Sequence, residues 1–230
     1  RFYQTHQNKQ KIVSWFGQYW SEHIGQMINI VVAIISGYVL GSTPSAYLVA
    51  RLRKGIDIRE VGSKNMGAMN VYYQVGPMEA AIVLLADVGK GIVAILLMRW
   101  LLDIPLISPF DFLTALTGLA AVIGHAFPVF LKFRGGKGGA TTLGILLFLM
   151  PKAIPFFVIV ALIALFVTRN LTFCYAIGFI IFPFVAWRIY HLESLIFFSI
   201  GLPIFVGIRY APRLKEMHAK TAGSWRRVIK

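Results

Sequence analysis

Long runs of apolar residues, separated by shorter polar stretches, dominate the hydropathy pattern of the chain. Runs of about 20 apolar residues are typical of helices that cross a membrane. We therefore predict an all-α integral membrane protein with about seven transmembrane helices. The runs are residues 27–52, 79–102, 110–131, 140–150, 153–168, 171–187 and 194–208. The fourth run is short for a full span. It is therefore a short or a tilted span, or it forms a re-entrant hairpin with the fifth around Pro151, and five or six spans remain alternatives.

Residues 1–26 carry a different pattern, in which aromatic and aliphatic residues recur at roughly helical spacing among polar ones. These residues are Ile12, Val13, Trp15, Phe16, Tyr19, Trp20 and Ile24. The spacing predicts an amphipathic helix at the membrane interface, where Trp and Tyr are favoured; a flexible tail is the alternative. No signal peptide is predicted, because the segment is too polar. We divide the chain into this amphipathic segment, a multi-span domain at 27–208 and a basic tail at 209–230.

The composition agrees with a membrane protein and narrows its partners. Hydrophobic residues make up 57% of the chain and charged residues 14%, against about 45–50% and 25% in soluble domains. Lys and Arg outnumber Asp and Glu by 23 to 9, which could indicate nucleic acid. Because the sequence has no nucleic-acid motif, membrane lipids and anionic substrates are the predicted partners. The lone cysteine, Cys174, lies in an apolar run and is predicted to be buried.

The distribution of basic residues predicts the orientation of the spans. Lys and Arg near span ends favour the cytoplasmic side of a membrane. With the N-terminus outside, sixteen basic residues fall on the cytoplasmic side and six outside. This orientation places the C-terminal tail in the cytoplasm, together with two glycine-containing loops.

One of these loops contains "RGGKGG", the glycine loop (residues 134–139), in which glycines surround Lys137. Glycines such as Gly135, Gly136 and Gly138 let backbone N–H groups approach an anion, and the lysine adds a charge. A helix that opens near Thr141 would add the favourable field of its N-terminus. The spacing is not that of a nucleotide-binding P-loop. The pattern favours an anion site, and the alternative is a glycine-rich turn with one interfacial lysine.

The other loop contains "VGSKNMGAMN", the polar stretch (residues 61–70), with Gly62, Ser63, Asn65 and Asn70. Hydroxyl and amide groups at a membrane surface suit a polyol or a phosphate. An ordinary loop with turn-forming Gly and Asn is the alternative. Its predicted place on the same side as the glycine loop favours a shared site.

Three ionisable residues fall inside apolar runs. Asp87 and Lys90 are three residues apart, so they share a helix face and form a structural ion pair or help to orient the site. His125 is a hydrogen-bonded structural residue or a member of the site. No group of residues has the spacing of metal ligands, so we predict no metal and no cofactor.

Three stretches resemble the bacterial acyl-phosphate:glycerol-3-phosphate acyltransferase (PlsY) family. They are "GSTPSAYLVARLRKGIDIREVGSKNMGAMNV" (41–71), "DVGKG" (87–91) and "GHAFPVFLKFRGGKGGATTLG" (124–144). Residues 1–26 have no counterpart in the resemblance.

The resemblance implies an enzyme of phospholipid synthesis in the bacterial inner membrane. Its reaction would transfer an acyl group from acyl phosphate to glycerol 3-phosphate and give lysophosphatidate. The implied catalytic residues are Ser63 and Lys137. The implied substrate-binding residues are Gly62, Asn65, Asn70, Gly135, Gly136, Gly138, Thr141 and His125.

The chain also departs from the family pattern at positions that bind substrate. Met69 replaces a threonine and Tyr73 an arginine of the first motif, and Tyr210 and Arg213 replace a histidine and an asparagine of the last. Tyrosine cannot replace a guanidinium at a phosphate. Two hypotheses therefore remain. The chain is an acyltransferase, or it is a catalytically degenerate homologue that serves as a structural or lipid-binding subunit of a larger membrane complex, with residues 1–26 contacting other subunits.

Overall fold

The computed structural model describes residues 2–106, 110–168, 174 and 177–228, and it gives the all-α architecture predicted from the pattern, without a strand in these ranges. The helices are α1 (Phe2–Gly41), α2 (Ser45–Lys54), α3 (Ala68–Gln74), α4 (Pro77–Leu101), α5 (Phe112–Ala126), α6 (Gly139–Leu149), α7 (Ile154–Thr168), α8 (Ile181–Val185) and α9 (Glu193–Val228). Short 3₁₀ turns precede α6 and α7, and a π-helical turn, Ala186–Tyr190, follows α8.

Helices long and apolar enough to cross a membrane make this a multi-pass membrane protein. Within the described ranges there are five: Gln18–Lys54, Pro77–Leu101, Phe112–Leu131, Pro151–Thr168 and Glu193–Ala211. Five of the seven predicted spans coincide with them. The other two match the shorter apolar helices Gly139–Leu149 and Ile181–Tyr190, and residues 171–173 and 175–176 of the predicted sixth span lie outside the described residues. The predicted count of seven is not confirmed.

The first predicted span is interrupted near its C-terminal end. Helix α1 ends at Gly41 and α2 begins at Ser45, so residues 42–44 break what reads as one apolar run. The cause is Pro44, because a residue that precedes proline is pushed out of the helical conformation. Beyond the break, Ala46 and Ala50 of α2 pack in one buried cluster with Met66 of the polar stretch.

Helix α1 also extends far in the other direction. It is continuous through residue 26, where the sequence pattern suggested a boundary, and its 40 residues span about 60 Å at 1.5 Å each. A bilayer with its headgroups is only about 40–45 Å thick. The side chains of residues 2–17 lie outside the described part of the chain. The interfacial segment at 1–26 therefore stays a prediction.

Glycines let the central helices approach each other at backbone distance. A Cβ at Gly41 of α1 would collide with the backbone of Ala121 on α5, and one at Gly144 of α6 would collide with the backbone of Val88 on α4. Small residues at helix contacts allow this close approach in membranes. The contacts hold α1, α4, α5 and α6 together around the polar residues of α4.

We expect Gly41→Ala to destabilise the protein by about 1–3 kcal/mol, since the added methyl group must push the α5 backbone away. Gly25→Ala on the same helix is the matched control, because a Cβ there would meet nothing within 4 Å. Alanine favours a helix by about 1 kcal/mol over glycine, so the control should be as stable as the parent or more so. Thermal unfolding in detergent measures both, and equal unfolding temperatures would contradict the close-packing account.

The C-terminal helix α9 joins the same core. A buried apolar cluster joins α4, α5, α6 and α9 through Ile95, Val122, Ile145 and Leu202. This packing fixes the direction of α9, which carries Arg209 and Tyr210 to the end of the bundle where the glycine loop lies.

Candidate functional site

The glycine loop links α5 to α6 and ends in a backbone conformation that glycine favours. Gly138 is the N-cap of α6 with φ of 87°, in the left-handed region. Helix α6 begins at Gly139, so the predicted helix opening beside Thr141 is confirmed. The first N–H groups of a helix have no partner within the helix and favour anions. Lys137 therefore stands directly before a helix N-terminus.

Two helices hold the glycine loop at Gly136. Its N–H donates to the carbonyl of His125 over 3.1 Å, and its carbonyl accepts from Nη2 of Arg209 over 3.2 Å. A Cβ at Gly136 would collide with Nε2 of His125. Arg209 also donates to the carbonyl of Ala126 over 3.4 Å, and its guanidinium lies 4.5 Å from the ring centroid of Phe127. The sequence pattern places Arg209 only in the basic tail and does not predict its bonds to Gly136 and Ala126.

Asn70 organises the polar stretch from inside the protein. It is buried, and its Nδ2 lies within 3.1 Å of the carbonyls of Ile58, Val61 and Asn65, to which it donates. Its Oδ1 accepts from the N–H of Ser63 over 3.0 Å. These contacts occupy the amide, so Asn70 shapes the loop that presents Ser63 and Asn65.

Arg59 connects the two loops. Its Nη2 lies 2.6 Å from Oδ2 of Asp57, its Nη1 donates to the carbonyl of Leu131 over 3.2 Å, and its guanidinium lies 5.2 Å from the ring centroid of Tyr47. The side-chain hydrogen bond from Arg59 lowers the pKa of the Asp57 carboxyl below its ordinary value. The ion pair therefore stabilises the folded protein fully at pH values above the unfolded-state pKa of Asp57. This stabilisation is lost as the pH falls through the lower, folded-state pKa of Asp57.

A buried polar cluster lies beneath the glycine loop and consists of Ser45, Asp87, Lys90, His125 and Thr141. Oδ1 of Asp87 accepts from Oγ of Ser45 at 2.5 Å, and it lies 2.8 Å from Nζ of Lys90 and 3.5 Å from Nδ1 of His125. Oγ1 of Thr141 lies 3.3 Å from the same imidazole nitrogen. The predicted Asp87–Lys90 ion pair is confirmed.

Lys90 reaches beyond this ion pair, since its Nζ donates to the carbonyl of Thr43 over 3.2 Å. Thr43 lies in the break between α1 and α2. Charged groups inside a membrane are costly and are retained where they are paired. The cluster fastens the α1–α2 break to α4, α5 and α6.

A cavity of about 100 Å³ opens between the two loops. Its lining residues are Asn65, Gly67, Ala68, Met69, Leu84, Asp87, His125, Lys137, Gly138, Gly139, Ala140, Leu143 and Tyr210. Polar groups from the loops thus face the same space as aliphatic side chains of α4 and α6. A cavity of this kind suits a ligand with an anionic head and an apolar tail.

The predicted site residues divide into two groups around this cavity. Asn65, His125, Lys137 and Gly138 line it. The other six belong to the loops and helices around the cavity and do not line it: Gly62, Ser63, Asn70, Gly135, Gly136 and Thr141.

The positions that depart from the resemblance are placed differently from one another. Met69 and Tyr210 line the cavity. Tyr73 is 71% exposed and does not line the cavity. The side chain of Arg213 lies outside the described residues. In the described part of the chain, no group of three or more His, Cys, Asp or Glu residues is placed to hold a metal ion.

The fold and the cavity define a class: a multi-pass helical membrane protein whose lysine-bearing glycine loop lies at the edge of an apolar wall. The family model described as glycerol-3-phosphate acyltransferase matches residues 31–220. Glycerol-3-phosphate acyltransferase 2 of Dehalococcoides mccartyi is 43% identical over 210 residues, which cover 90% of this chain and 96% of that protein. Glycerol-3-phosphate acyltransferase of Bacillus subtilis is 36% identical over 192 residues, which cover 84% and 95%.

Solved structures agree with these relatives. The crystal structure of PlsY, an integral membrane glycerol 3-phosphate acyltransferase, in its glycerol 3-phosphate form superposes with a TM-score of 0.72 at 28% identity, and the match covers 83% of this chain and 92% of that one. The lysophosphatidic acid form gives a TM-score of 0.70 at 29% identity. The chain belongs to the glycerol-3-phosphate acyltransferase family.

Proposed function

We propose that this chain transfers the acyl group of an acyl phosphate to the 1-hydroxyl of glycerol 3-phosphate, in phospholipid synthesis. The observation that carries the proposal is the cavity in which Lys137 and the α6 N-terminus face the same space as Leu84 and Leu143. The relatives named for this activity, and the glycerol 3-phosphate and lysophosphatidic acid forms of PlsY, support it.

The reaction needs little covalent help from the protein. The hydroxyl oxygen attacks the acyl carbon, the bond from that carbon to the phosphate oxygen breaks, and orthophosphate leaves with the hydroxyl proton. Because acyl phosphate is already activated, positioning and charge stabilisation can supply the rate. Lys137 and the N–H groups around Gly138 would hold the acyl phosphate. The acyl chain would follow Leu84 and Leu143 toward lipid.

The second substrate belongs to the polar stretch. Ser63 and Asn65 would bind glycerol 3-phosphate, with Ser63 beside the reacting hydroxyl. Asn70 and Gly62 would support them by holding the loop, since the amide of Asn70 is engaged by loop backbone. His125 and Thr141 would fix the floor of the site, and Gly135 and Gly136 the path of the glycine loop.

The test is a direct assay of the purified protein with palmitoyl phosphate and glycerol 3-phosphate, without added metal. We expect lysophosphatidate and orthophosphate in equal amounts, identified by mass spectrometry and phosphate release. The triple variant Tyr73→Arg, Tyr210→His, Arg213→Asn restores the residues of the resembling family. Lysophosphatidate from neither protein would refute the enzyme and favour a degenerate homologue.

That alternative, a structural or lipid-binding subunit, gains no support from the named relatives. Its partner surface was predicted at residues 1–26. Helix α1 is longer than a bilayer is thick, so part of this segment can extend beyond the membrane and contact another subunit. If the segment contacts another subunit or the membrane surface, deletion of residues 1–24 should release copurifying proteins or weaken membrane retention. An unchanged purification profile would identify the segment as a passive extension.

The proposed orientation puts both loops and the C-terminal tail in the cytoplasm and the N-terminus outside. A Cys174→Ala background removes the native thiol, and Glu60→Cys and Lys152→Cys then report on opposite ends of the bundle. Both parent side chains are exposed, so accessibility follows the side of the membrane. A membrane-impermeant maleimide added to whole cells should label position 152 and leave position 60 unmodified. The reverse pattern would invert the proposed topology.

A further inference from the structure

Helix α9 presents two consecutive side chains to two consecutive residues of the glycine loop. Arg209 donates to the carbonyl of Gly136, and the next residue, Tyr210, lies against Lys137. Nζ of Lys137 lies 3.3 Å from the centroid of the Tyr210 ring. The side chains of Lys137 and Tyr210 are partly buried, and both line the cavity. The first contact fixes the loop backbone, and the second reaches the charged end of the lysine.

The face of an aromatic ring attracts an ammonium group, because the ring quadrupole places negative charge there. A lysine stem has four carbons and many rotamers, so a free ammonium loses considerable entropy when it is fixed on a ligand. The ring covers one side of the ammonium, and both residues line the cavity. An ammonium that is already held in place binds a phosphate at lower entropic cost.

We propose that Tyr210 is a positioning residue that orients the Lys137 ammonium for the phosphate of the acyl donor. The identity of that ligand rests on the proposed function; the contact itself does not. Tyr210 acts through the face of its ring. We attribute its effect on binding to the Lys137 ammonium, although Tyr210 also lines the cavity.

Isothermal titration calorimetry with palmitoyl phosphate, in detergent and without glycerol 3-phosphate, measures the effect whether or not turnover occurs. Tyr210→Leu should raise the Kd about three- to thirtyfold, the range expected for losing a cation–π contact. Tyr210→Phe keeps the ring and should hold the Kd within about twofold of the parent. If Tyr210→Leu fails to fold, Tyr210→Met replaces it, and thermal unfolding verifies each variant.

A double-mutant cycle separates positioning from a general structural role. Lys137→Met removes the charge, and in that background Tyr210→Leu should change the Kd by less than twofold. The matched control is Tyr190→Leu, since Nζ of Lys152 lies 5.9 Å from the Tyr190 ring and neither residue lines the cavity. This control should leave the Kd of the otherwise unaltered protein at its parent value.

The outcomes discriminate between the two proposals. A Kd for Tyr210→Leu within twofold of the parent would overturn the positioning role while leaving the acyltransferase proposal intact. An equal loss in the Lys137→Met background would also overturn it, because the effect would not depend on the lysine. Absence of palmitoyl phosphate binding by the unaltered chain would overturn both.

Discussion

Replacing Asp87 with alanine is expected to lower the free energy of unfolding by about 3–5 kcal/mol, because it leaves a buried ammonium without its carboxylate. Nζ of Lys90 lies 2.8 Å from Oδ1 of Asp87, and both side chains are almost fully buried. The same substitution removes the acceptor of the Ser45 hydroxyl. Chemical unfolding in detergent, followed by tryptophan fluorescence, measures the change.

Two further variants make this result specific. Glu60→Ala is the control, since the pair of Glu60 with Arg134 is exposed and an exposed pair contributes about 0–1 kcal/mol. The double variant Asp87→Ala, Lys90→Met removes both charges and should recover part of the lost stability. If Asp87→Ala costs no more than Glu60→Ala, the buried polar cluster does not hold the helices together.

Lys137→Met is expected to reduce kcat/KM for palmitoyl phosphate about ten- to a hundredfold. One hydrogen bond to a charged group contributes about 1.5–3 kcal/mol, and each 1.4 kcal/mol is a factor of ten. Lys137 lines the cavity directly before the N-terminus of α6. No other lysine in the described part of the chain lines this cavity. Initial rates measured over a range of concentrations of both substrates give the change in kcat/KM for each substrate.

Lys132→Met is the matched control for this prediction. Lys132 lies on the same connection between α5 and α6 and is exposed, so the same substitution removes a cation that does not line the cavity. Its kcat/KM should stay within about twofold of the parent. Equal losses from both variants would show that general positive charge attracts the substrate, and would contradict a specific contact at Lys137.

The apolar runs predicted the helices well because burial in lipid demands long uninterrupted apolar stretches, which local sequence records directly. The spacing of Asp87 and Lys90 predicted their ion pair for a similar reason, since three residues along a helix place side chains together. The break at residues 42–44 was missed. Its flanks are apolar, and a hydropathy average does not register a single proline.

The site was harder to predict because its important contacts join distant parts of the chain. Asn70 belongs to a stretch that contains several polar residues, and nothing in the local sequence indicates that its amide donates to the carbonyl of Ile58, twelve residues earlier. Arg209 sits in a basic segment and gives no sign of its bond to Gly136, 73 residues away. The glycines of the loop were a better signal, because close backbone approach excludes other residues.

The contact from Arg59 to the carbonyl of Leu131 has an energetic consequence for the two proposed ligands. This hydrogen bond couples the position of the loop that carries Ser63 to that of the connection that carries Lys137. A ligand that shifts one loop must strain or relax this link, and so it alters the affinity of the other loop. Linkage then requires the two effects to be equal in free energy. Through the Arg59 guanidinium, binding of the acyl donor and binding of the acceptor would be coupled before the acyl group is transferred.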